Sequence, residues 1–173
     1  MKRLSSKALL LALVVTASVL TPRSALAASI VIKVGAIQGE SVVAGHVGEI
    51  DVLAWSWGLA ASTTTTRKGA DVRSCSIQDF SFTKYIDTAS GPLLVNAVLG
   101  TTVETAVLKL LPLPGGTNLT LTMTNVTVSS VSTGGSGAEE RLTENVTLHF
   151  ASLLGDYTTP GGQHVTFQVN PCG

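Results

Sequence analysis

The histidines and cysteines of this chain are its first candidates for a catalytic base, a nucleophile or a metal ligand. The three histidines are His46, His149 and His164. None lies in a His-Glu-x-x-His metal motif, and no Gly-x-Ser-x-Gly elbow presents a serine nucleophile. A catalytic triad assembles in space and not in sequence, so an exported hydrolase stays open as a minor hypothesis. The leading prediction is a protein without enzymatic activity, with no metal site and no cofactor.

The two cysteines, Cys75 and Cys172, are better explained as a structural disulfide than as reactive or metal-binding thiols. Neither belongs to a Cys-x-x-Cys pair, and neither lies near a histidine in the sequence. Two lone cysteines usually pair in an oxidising compartment. The bridge would close a loop of 172 − 75 = 97 positions, which contributes about 4–5 kcal/mol in the chain-entropy model.

Two further motifs are weak functional signals. Residues 132–137 are rich in glycine, but they lack the Gly-Lys-Ser/Thr ending with which a phosphate-binding loop holds its ligand, so we predict a turn between strands. Asn118, Asn125 and Asn145 each begin an Asn-x-Thr triplet, the acceptor pattern for N-glycosylation. These triplets matter only if the host is a eukaryote.

The first 27 residues have the layout of a secretory signal peptide. Three basic residues stand near the start, residues 8–20 are apolar, and small residues precede a cleavage site between Ala27 and Ala28. The apolar run is shorter than the roughly 20 residues that a membrane-spanning helix needs. We therefore predict an exported protein, periplasmic or extracellular, with a signal peptide at residues 1–27 and a single domain at residues 28–173.

Composition and charge exclude several classes of partner. Charged residues make up 13% of the chain and apolar residues 45%, which favours a folded domain over disorder. Cleavage would remove four basic residues and leave 11 − 4 = 7 against 11 acidic ones, a net charge of −4 over 146 residues. This balance gives no basic stripe for nucleic acid. No second segment is apolar enough to insert into a membrane after cleavage.

Alternating apolar and polar residues predict a mainly β domain. Strands are predicted at residues 30–34, 49–58, 72–82, 102–111, 118–131, 142–150 and 165–169. One helix is predicted at residues 90–99, with Ser90 as its N-cap, Pro92 in its first turn and Gly100 at its end. Because this helix is nearly uncharged, we expect it to be buried against the sheets or to plug a barrel end. The pattern predicts a sandwich or barrel.

The same alternation assigns side chains to faces. It places Leu53, Trp55 and Trp57 together on one face, where aromatic residues usually belong to the core. It directs His149 outward and groups Glu144 with neighbouring charges in a solvated entry to a strand. The Thr-rich residues 60–69 are interpreted as a polar connection.

Four longer runs carry a resemblance to a known family. Residues 49–58, 79–87, 128–137 and 141–147 resemble the haemolysin-coregulated protein (Hcp) family, the tube proteins of the bacterial type VI secretion system. The resemblance extends from about residue 30 to residue 157. The residues that carry it are Asp51, Trp55, Trp57, Phe82, Lys84, Tyr85, Ser130, Gly134, Gly135, Arg141 and Asn145.

This resemblance implies a fold, an assembly and a role. The implied fold is an Hcp-like β-barrel of two packed antiparallel sheets with one short α-helix. The implied assembly is a homo-hexameric ring, and rings stack into a tube whose lumen can carry secreted effector proteins. The family has no catalytic residues.

Two departures from the family pattern matter. Its members normally lack a signal peptide, and many carry a Gly-rich extended loop, which contacts the next ring, where this chain has the Thr-rich residues 60–68. The alternative hypothesis is therefore an exported β-barrel binding module that no longer forms a secretion tube.

Overall fold

The computed structural model describes residues 29–69, 71–111, 118–137 and 140–170. These residues form eleven strands and one helix. The elements are β1 (Ser29–Val34), β2 (Ile50–Asp51), β3 (Ala54–Ser56), β4 (Leu59–Thr65), β5 (Asp71–Ile77), β6 (Phe80–Tyr85), α1 (Ser90–Leu99), β7 (Thr102–Leu111), β8 (Asn118–Gly134), β9 (Thr143–His149), β10 (Ser152–Thr158) and β11 (His164–Val169). The mainly β, antiparallel fold with one short helix is confirmed.

Nine of the strands hydrogen-bond into one sheet, in the order β2-β1-β7-β8-β9-β6-β3, with β10 attached to β8 and β11 attached to β10. The chain between β2 and β3 closes this sheet on itself. The Val52 N–H donates to the carbonyl of Ile30 in β1 (2.9 Å), and the next N–H, that of Leu53, donates to Thr83 in β6 (2.8 Å). One short segment therefore joins both margins of the sheet and makes a barrel.

Strand β8 is long because it has different partners along its length. Its first half pairs with β10 and its second half with β9, while β7 pairs along the opposite side. Asn125 lies where the partner changes and has a φ of 50°, a left-handed conformation that asparagine tolerates better than most residues. The predicted strand at 118–131 is thus confirmed and continues to Gly134.

The core lies inside the barrel and comes from alternate positions of its strands. It contains Ile32, Val34, Ile50, Phe80, Phe82, Leu93, Leu108, Leu121, Met123, Val146, Leu148 and Leu153. Leu53 is not part of this core, contrary to the prediction: its side chain is 44% exposed, whereas Val52 is buried. The regular alternation fails there because the strand changes hydrogen-bonding partner between these two residues.

The helix covers the predicted residues 90–99, but its N-cap residue and its burial differ from the prediction. Ala89, not Ser90, is the N-cap, and the Asp87 carboxylate accepts a hydrogen bond from the Ala89 N–H (2.8 Å). The helix ends as predicted at Gly100, which is left-handed (φ 62°). Of its ten residues only Ser90 and Leu93 are buried, so the expectation of a helix hidden against the sheets is wrong.

Residues 60–69 form structure of their own and not a simple connection. Strands β4 and β5 pair antiparallel from Leu59↔Ile77 to Thr65↔Asp71 and make a separate two-stranded sheet. The predicted strand at 72–82 is accordingly two strands, β5 in this hairpin and β6 in the barrel.

Candidate functional site

Each histidine lies beside a carboxylate, and His164 Nδ1 also lies 3.4 Å from the Thr158 hydroxyl. The Nδ1 atoms of His46, His149 and His164 lie 3.1, 2.9 and 3.2 Å from carboxylate oxygens of Glu49, Asp79 and Asp156. The Asp79 carboxylate beside His149 also accepts a hydrogen bond from the Ser129 hydroxyl, at its other oxygen (2.8 Å). His149 points outward as predicted. Among the described residues no group of three His, Cys, Asp or Glu side chains could hold a metal ion.

Cys75 lies in β5 and is half-buried, at the edge of an open hollow of about 310 Å³. The hollow is lined by Ile77, Asp79, His149 and Phe150, among others. Cys75 is not a free cysteine. Cys172 lies outside the described residues, as do Ala27 and Ala28, so the disulfide and the cleavage site stay predictions.

A buried ionic cluster lies where the far end of β6 meets α1 and β9. The Lys84 ammonium, with a fully buried side chain, donates to Glu144 Oε1 (2.7 Å), Asp87 Oδ1 (2.6 Å) and the Tyr85 carbonyl (2.8 Å). The Ser90 hydroxyl donates to the same Glu144 oxygen (2.7 Å). The interpretation of Glu144 as a solvated charge is therefore wrong, because this side chain is buried in contact with Lys84.

Charge balance inside this cluster is incomplete. One ammonium faces two carboxylates, Asp87 and Glu144, and Glu144 Oε2 is buried without a protein hydrogen-bond partner. Buried charges persist only when they are paired and hydrogen-bonded. The Lys84 ammonium therefore supplies the positive charge that compensates both carboxylates. The cluster joins β6, β9 and the start of α1 through contacts between residues that are up to 60 positions apart.

The two tryptophans border the core without being enclosed by it. Trp55 stacks on Phe80 with ring centroids 5.7 Å apart and planes within 13°. Trp57 meets Phe150 at 6.4 Å in a tilted arrangement, and its indole N–H is buried without a hydrogen-bond partner. Both rings are half-buried and pack against the core, consistent with the structural interpretation rather than with an exposed stacking platform.

The other residues that carry the family resemblance do not form one cluster. Phe82 and Lys84 are buried, whereas Asp51, Ser130, Gly134, Gly135, Arg141 and Asn145 are exposed. The Arg141 guanidinium lies 4.0 Å above the Tyr85 ring, a cation–π contact at the rim of the barrel. The Thr83 hydroxyl donates to Asn145 Oδ1 (2.6 Å) and links β6 to β9 on the outer face. Asn118 and Asn125 are exposed as well.

The hairpin of β4 and β5 is the most exposed regular structure in the described part of the chain. Every residue of β4 is exposed. Its two strands are joined across the sheet by hydroxyl contacts, Ser62 with Ser74 (2.7 Å) and Thr65 with Asp71 (2.7 Å). Arg67 and Lys68 occupy the tip, where Gly69 has a φ of 80°. A two-stranded hairpin of this kind has no core of its own.

Charges of both signs lie at the opposite end of β6, where the Arg141 guanidinium covers the Tyr85 ring and the loop between β1 and β2 contributes Glu40. The hairpin leads into the first residue of β6, and the last residue of β6 leads to Thr88, whose N–H donates to Glu40 (3.1 Å). Glu40 is exposed and Glu49 is half-buried beside His46. The loop between β1 and β2 therefore places carboxylates at the end of the molecule that lies farthest along β6 from the cationic hairpin tip.

Neither the buried ionic cluster nor the hairpin of β4 and β5 was predicted from the sequence. The signal for the ionic cluster was present, since Glu144 interrupts an alternating apolar face and Lys84 occupies a core-facing position of β6. The hairpin had no such signal, because a run of Thr and Ser lacks the apolar alternation of a half-buried strand.

Comparison with known proteins identifies the family. The family described as the type VI secretion system effector Hcp matches residues 31–157. The protein hcp1 of Pseudomonas aeruginosa is 45% identical over 137 residues, which cover 76% of this chain and 84% of that protein. This chain therefore belongs to the Hcp family. Hcp proteins are structural tube proteins of the type VI secretion system, and homologues form ring-like assemblies.

Solved structures agree with this assignment. Hcp1 from Salmonella typhimurium superposes with a TM-score of 0.71 at 30% identity, over 84% of this chain and 95% of that one. A type VI secretion system effector from Yersinia pestis superposes with a TM-score of 0.67 at 30% identity, over 82% of this chain and 98% of that one.

Within the described residues no helix has the length and apolarity to cross a membrane.

Proposed function

We propose that this protein is a non-enzymatic building block that assembles into homo-hexameric rings and that the rings stack into a tube. The observation that carries the proposal is the polarity of the molecule. A cationic hairpin projects at one end of β6 and carboxylates lie at the other, in a chain of the Hcp family. A head-to-tail stack brings these unlike charges together at every junction.

The charges on the hairpin support this arrangement. Between residues 59 and 77 the hairpin carries Arg67, Lys68 and Arg73 against one acidic residue, Asp71, a net charge of 3 − 1 = +2. Complementary potentials steer association and fix the orientation of the two partners. The tip of one copy thus meets the acidic loop that contains Glu40 and Glu49 of the next copy along the tube.

Export is the second part of the proposal. We infer that residues 1–27 are a signal peptide cleaved between Ala27 and Ala28, and that Cys75 bonds with Cys172 in the periplasm or outside the cell. The layout of the first 27 residues and the isolation of the two cysteines support this inference. The ring encloses a passage for secreted effector proteins, the use that the family resemblance implies.

The decisive experiment is the mass of the mature protein, residues 28–173, under non-reducing conditions. We expect a six-chain particle by native mass spectrometry and light scattering, with one intramolecular disulfide in each chain. Sedimentation at low and high salt then measures stacking, which should weaken as salt screens the contact between hairpin and acidic loop. A particle of one chain would contradict the ring and favour an exported binding module that has kept the barrel alone.

A further inference from the structure

The hairpin of β4 and β5 is joined to the barrel through its base. Among the described residues its two strands pair only with each other, and every residue of β4 is exposed. Below them, the Gln78 N–H donates to the Gly58 carbonyl (2.9 Å) and closes the base. A two-stranded hairpin is at best marginally stable by itself in water. The pairing of β4 with β5 therefore sets the shape of the hairpin but not the direction in which its tip points from the barrel.

One face of β5 turns toward the barrel. Cys75 and Ile77 are half-buried, whereas the other residues of this strand are exposed. Both residues line the open hollow of about 310 Å³, together with Phe150 and Ala151 of the segment between β9 and β10. Phe150 is 6% exposed and belongs to the core. The hairpin thus meets the barrel at this hollow.

The register of the last two strands leads to the same hollow. Val169, the last residue of β11, pairs with Leu153, and each step onward along β11 runs one step back along its antiparallel partner. Continued by three positions, this register would place residue 172 opposite Phe150, on the wall of the hollow that also contains Cys75. Cys75 is not a free cysteine, and Cys172, outside the described residues, is the other cysteine of the chain. Strand register and the bonded state of Cys75 both support a disulfide at this hollow.

Such a bridge would tie the hairpin to a strand that the barrel holds in place. Strand β11 pairs with β10 over six residues, and β10 pairs with β8 over seven. A disulfide keeps its two Cα atoms about 4.4–6.8 Å apart. The bridge therefore prevents the hairpin from swinging about its base, and without it the direction of the tip is set by the base alone.

We propose that the Cys75–Cys172 disulfide is a redox latch, which fixes the hairpin against the barrel and so controls the stacking of rings. With the latch closed, the tip at Arg67 and Lys68 is held in one direction before it meets the next ring. Preorganisation of this kind raises affinity, because binding then orders less of the chain. With the latch open, the same contact must also order the hairpin. This inference rests on the ring, the stack and the disulfide of the proposed function, and it adds the regulation of the stack.

The latch opens by thiol–disulfide exchange. A thiolate of the reductant attacks one sulfur of the bridge and forms a mixed disulfide, and a second reductant thiol then displaces the protein sulfur. The products are the Cys75 and Cys172 thiols and one disulfide of the reductant, so the bridge takes two electrons and two protons from two reductant thiols. A reducing compartment therefore keeps rings separate, and an oxidising compartment allows them to stack.

The test compares three forms of the mature protein, residues 28–173: oxidised, reduced with dithiothreitol, and the C75S/C172S variant. Sedimentation at low salt measures the association of rings. Reduction and the double substitution should each weaken this association by about 10-fold or more. The six-chain mass should stay unchanged by native mass spectrometry, and near-ultraviolet circular dichroism reports folding. Dithiothreitol should not alter C75S/C172S, which is the control for effects of the reductant itself.

Hydrogen exchange provides a readout that does not depend on stacking. In the first minutes after reduction, amides of residues 59–77 should exchange about 10-fold faster, whereas those of β8 and β9 should remain protected in both forms. A merely stabilising disulfide would not confine the early change to the hairpin.

Each contrary outcome has a separate meaning. Stacks of equal length in the oxidised and reduced protein would overturn the latch, and so would chains linked in pairs on a non-reducing gel. Reduction that separates the rings into single chains would also overturn it, because the disulfide would then hold the ring together. Oxidised protein that is a single chain, or that contains two free thiols, would refute the proposed function itself.

Discussion

At the scale of single residues, Lys84 joins β6 to β9 and to the segment before α1 through buried contacts. Its ammonium contacts two carboxylates and a backbone carbonyl within 2.8 Å, and its side chain is fully buried. Removal of one partner from a buried ion pair is costly, because the remaining charges lose their compensation. Replacement of the whole pair by apolar residues can be neutral. Lys84 is therefore needed because of Glu144 and Asp87, not because of its own contribution to the core.

Lys84→Met should lower the free energy of unfolding by about 3–5 kcal/mol, because it leaves Glu144 and Asp87 buried and unpaired. Urea denaturation followed by tryptophan fluorescence measures the change. Lys33→Met is the control, since Lys33 is exposed on β1, and it should change stability by less than about 0.5 kcal/mol. The double variant K84M/E144L should recover part of the loss. Equal losses from K84M and K33M would contradict the role of the cluster.

Gly39 lies where the backbone of the loop between β1 and β2 approaches the backbone of Glu49 and Ile50 closely. A Cβ there would lie 2.4 Å from the Glu49 carbonyl oxygen and 2.7 Å from Ile50 Cα, both backbone atoms that cannot move aside cheaply. Gly39→Ala should therefore destabilise the protein by about 1–3 kcal/mol. Gly134→Ala is the matched control, because a Cβ at Gly134 meets nothing within 4 Å. Thermal unfolding of the two variants compares them, and similar melting temperatures would refute the close approach.

At the scale of elements, strands β4 and β5 of the hairpin pair with each other and not with the strands of the barrel. It forms its own sheet and exposes every residue of β4. Changes at its tip should therefore affect contacts between molecules without affecting the fold. The barrel is held instead by the core and by closure at residues 52 and 53.

The double variant R67E/K68E should keep the stability and ring mass of the unmodified protein and reduce the stacking of rings. The new charges would repel the acidic loop at Glu40 and Glu49 of the next ring. Analytical ultracentrifugation at low salt measures the change, with R67K/K68R as a control that replaces the same two side chains and keeps their charge. Unchanged stacking in R67E/K68E would show that the tip does not contact the next ring.

The success of sequence prediction differs from one element to another for physical reasons. Most barrel strands and the end of the helix were predictable, because burial imposes a period of two on strands and glycine ends the helix at Gly100. Strand β10 (Ser152–Thr158) was not predicted. The hairpin was not predicted, because two exposed strands have no buried face to impose a pattern. The pairing of Glu144 with Lys84 was not predicted, because a charge and its partner 60 positions away carry no local signal.

At the scale of the whole molecule, the proposed stack of rings depends on a charged contact between the hairpin tip of one copy and the acidic loop of the next. Salt screens such a contact, so stacks should separate into single rings as the salt concentration rises. Light scattering across a sodium chloride series measures this transition. Stacks that keep their length at high salt would contradict the charged contact.

The predicted disulfide also acts on the whole molecule. Cys75→Ser should lower the free energy of unfolding by about 4 kcal/mol if the closed loop of 97 positions constrains the unfolded chain. Unfolding of the mature protein with and without a reductant provides the same comparison without a substitution. Peptide mapping under non-reducing conditions identifies the bonded pair. Two free thiols in the mature protein would contradict the prediction.

The pairing of β1 with β7 has a consequence for the timing of folding. Ser29 pairs with Leu111 and Val34 with Ala106, separations of 82 and 72 positions. Strand β1 therefore leaves the ribosome long before β7 exists, and the barrel cannot form until most of the chain has been synthesised. Folds dominated by such distant pairings form in milliseconds to seconds. A nascent chain that stays open for this long is well suited to a translocation channel that accepts only unfolded polypeptide.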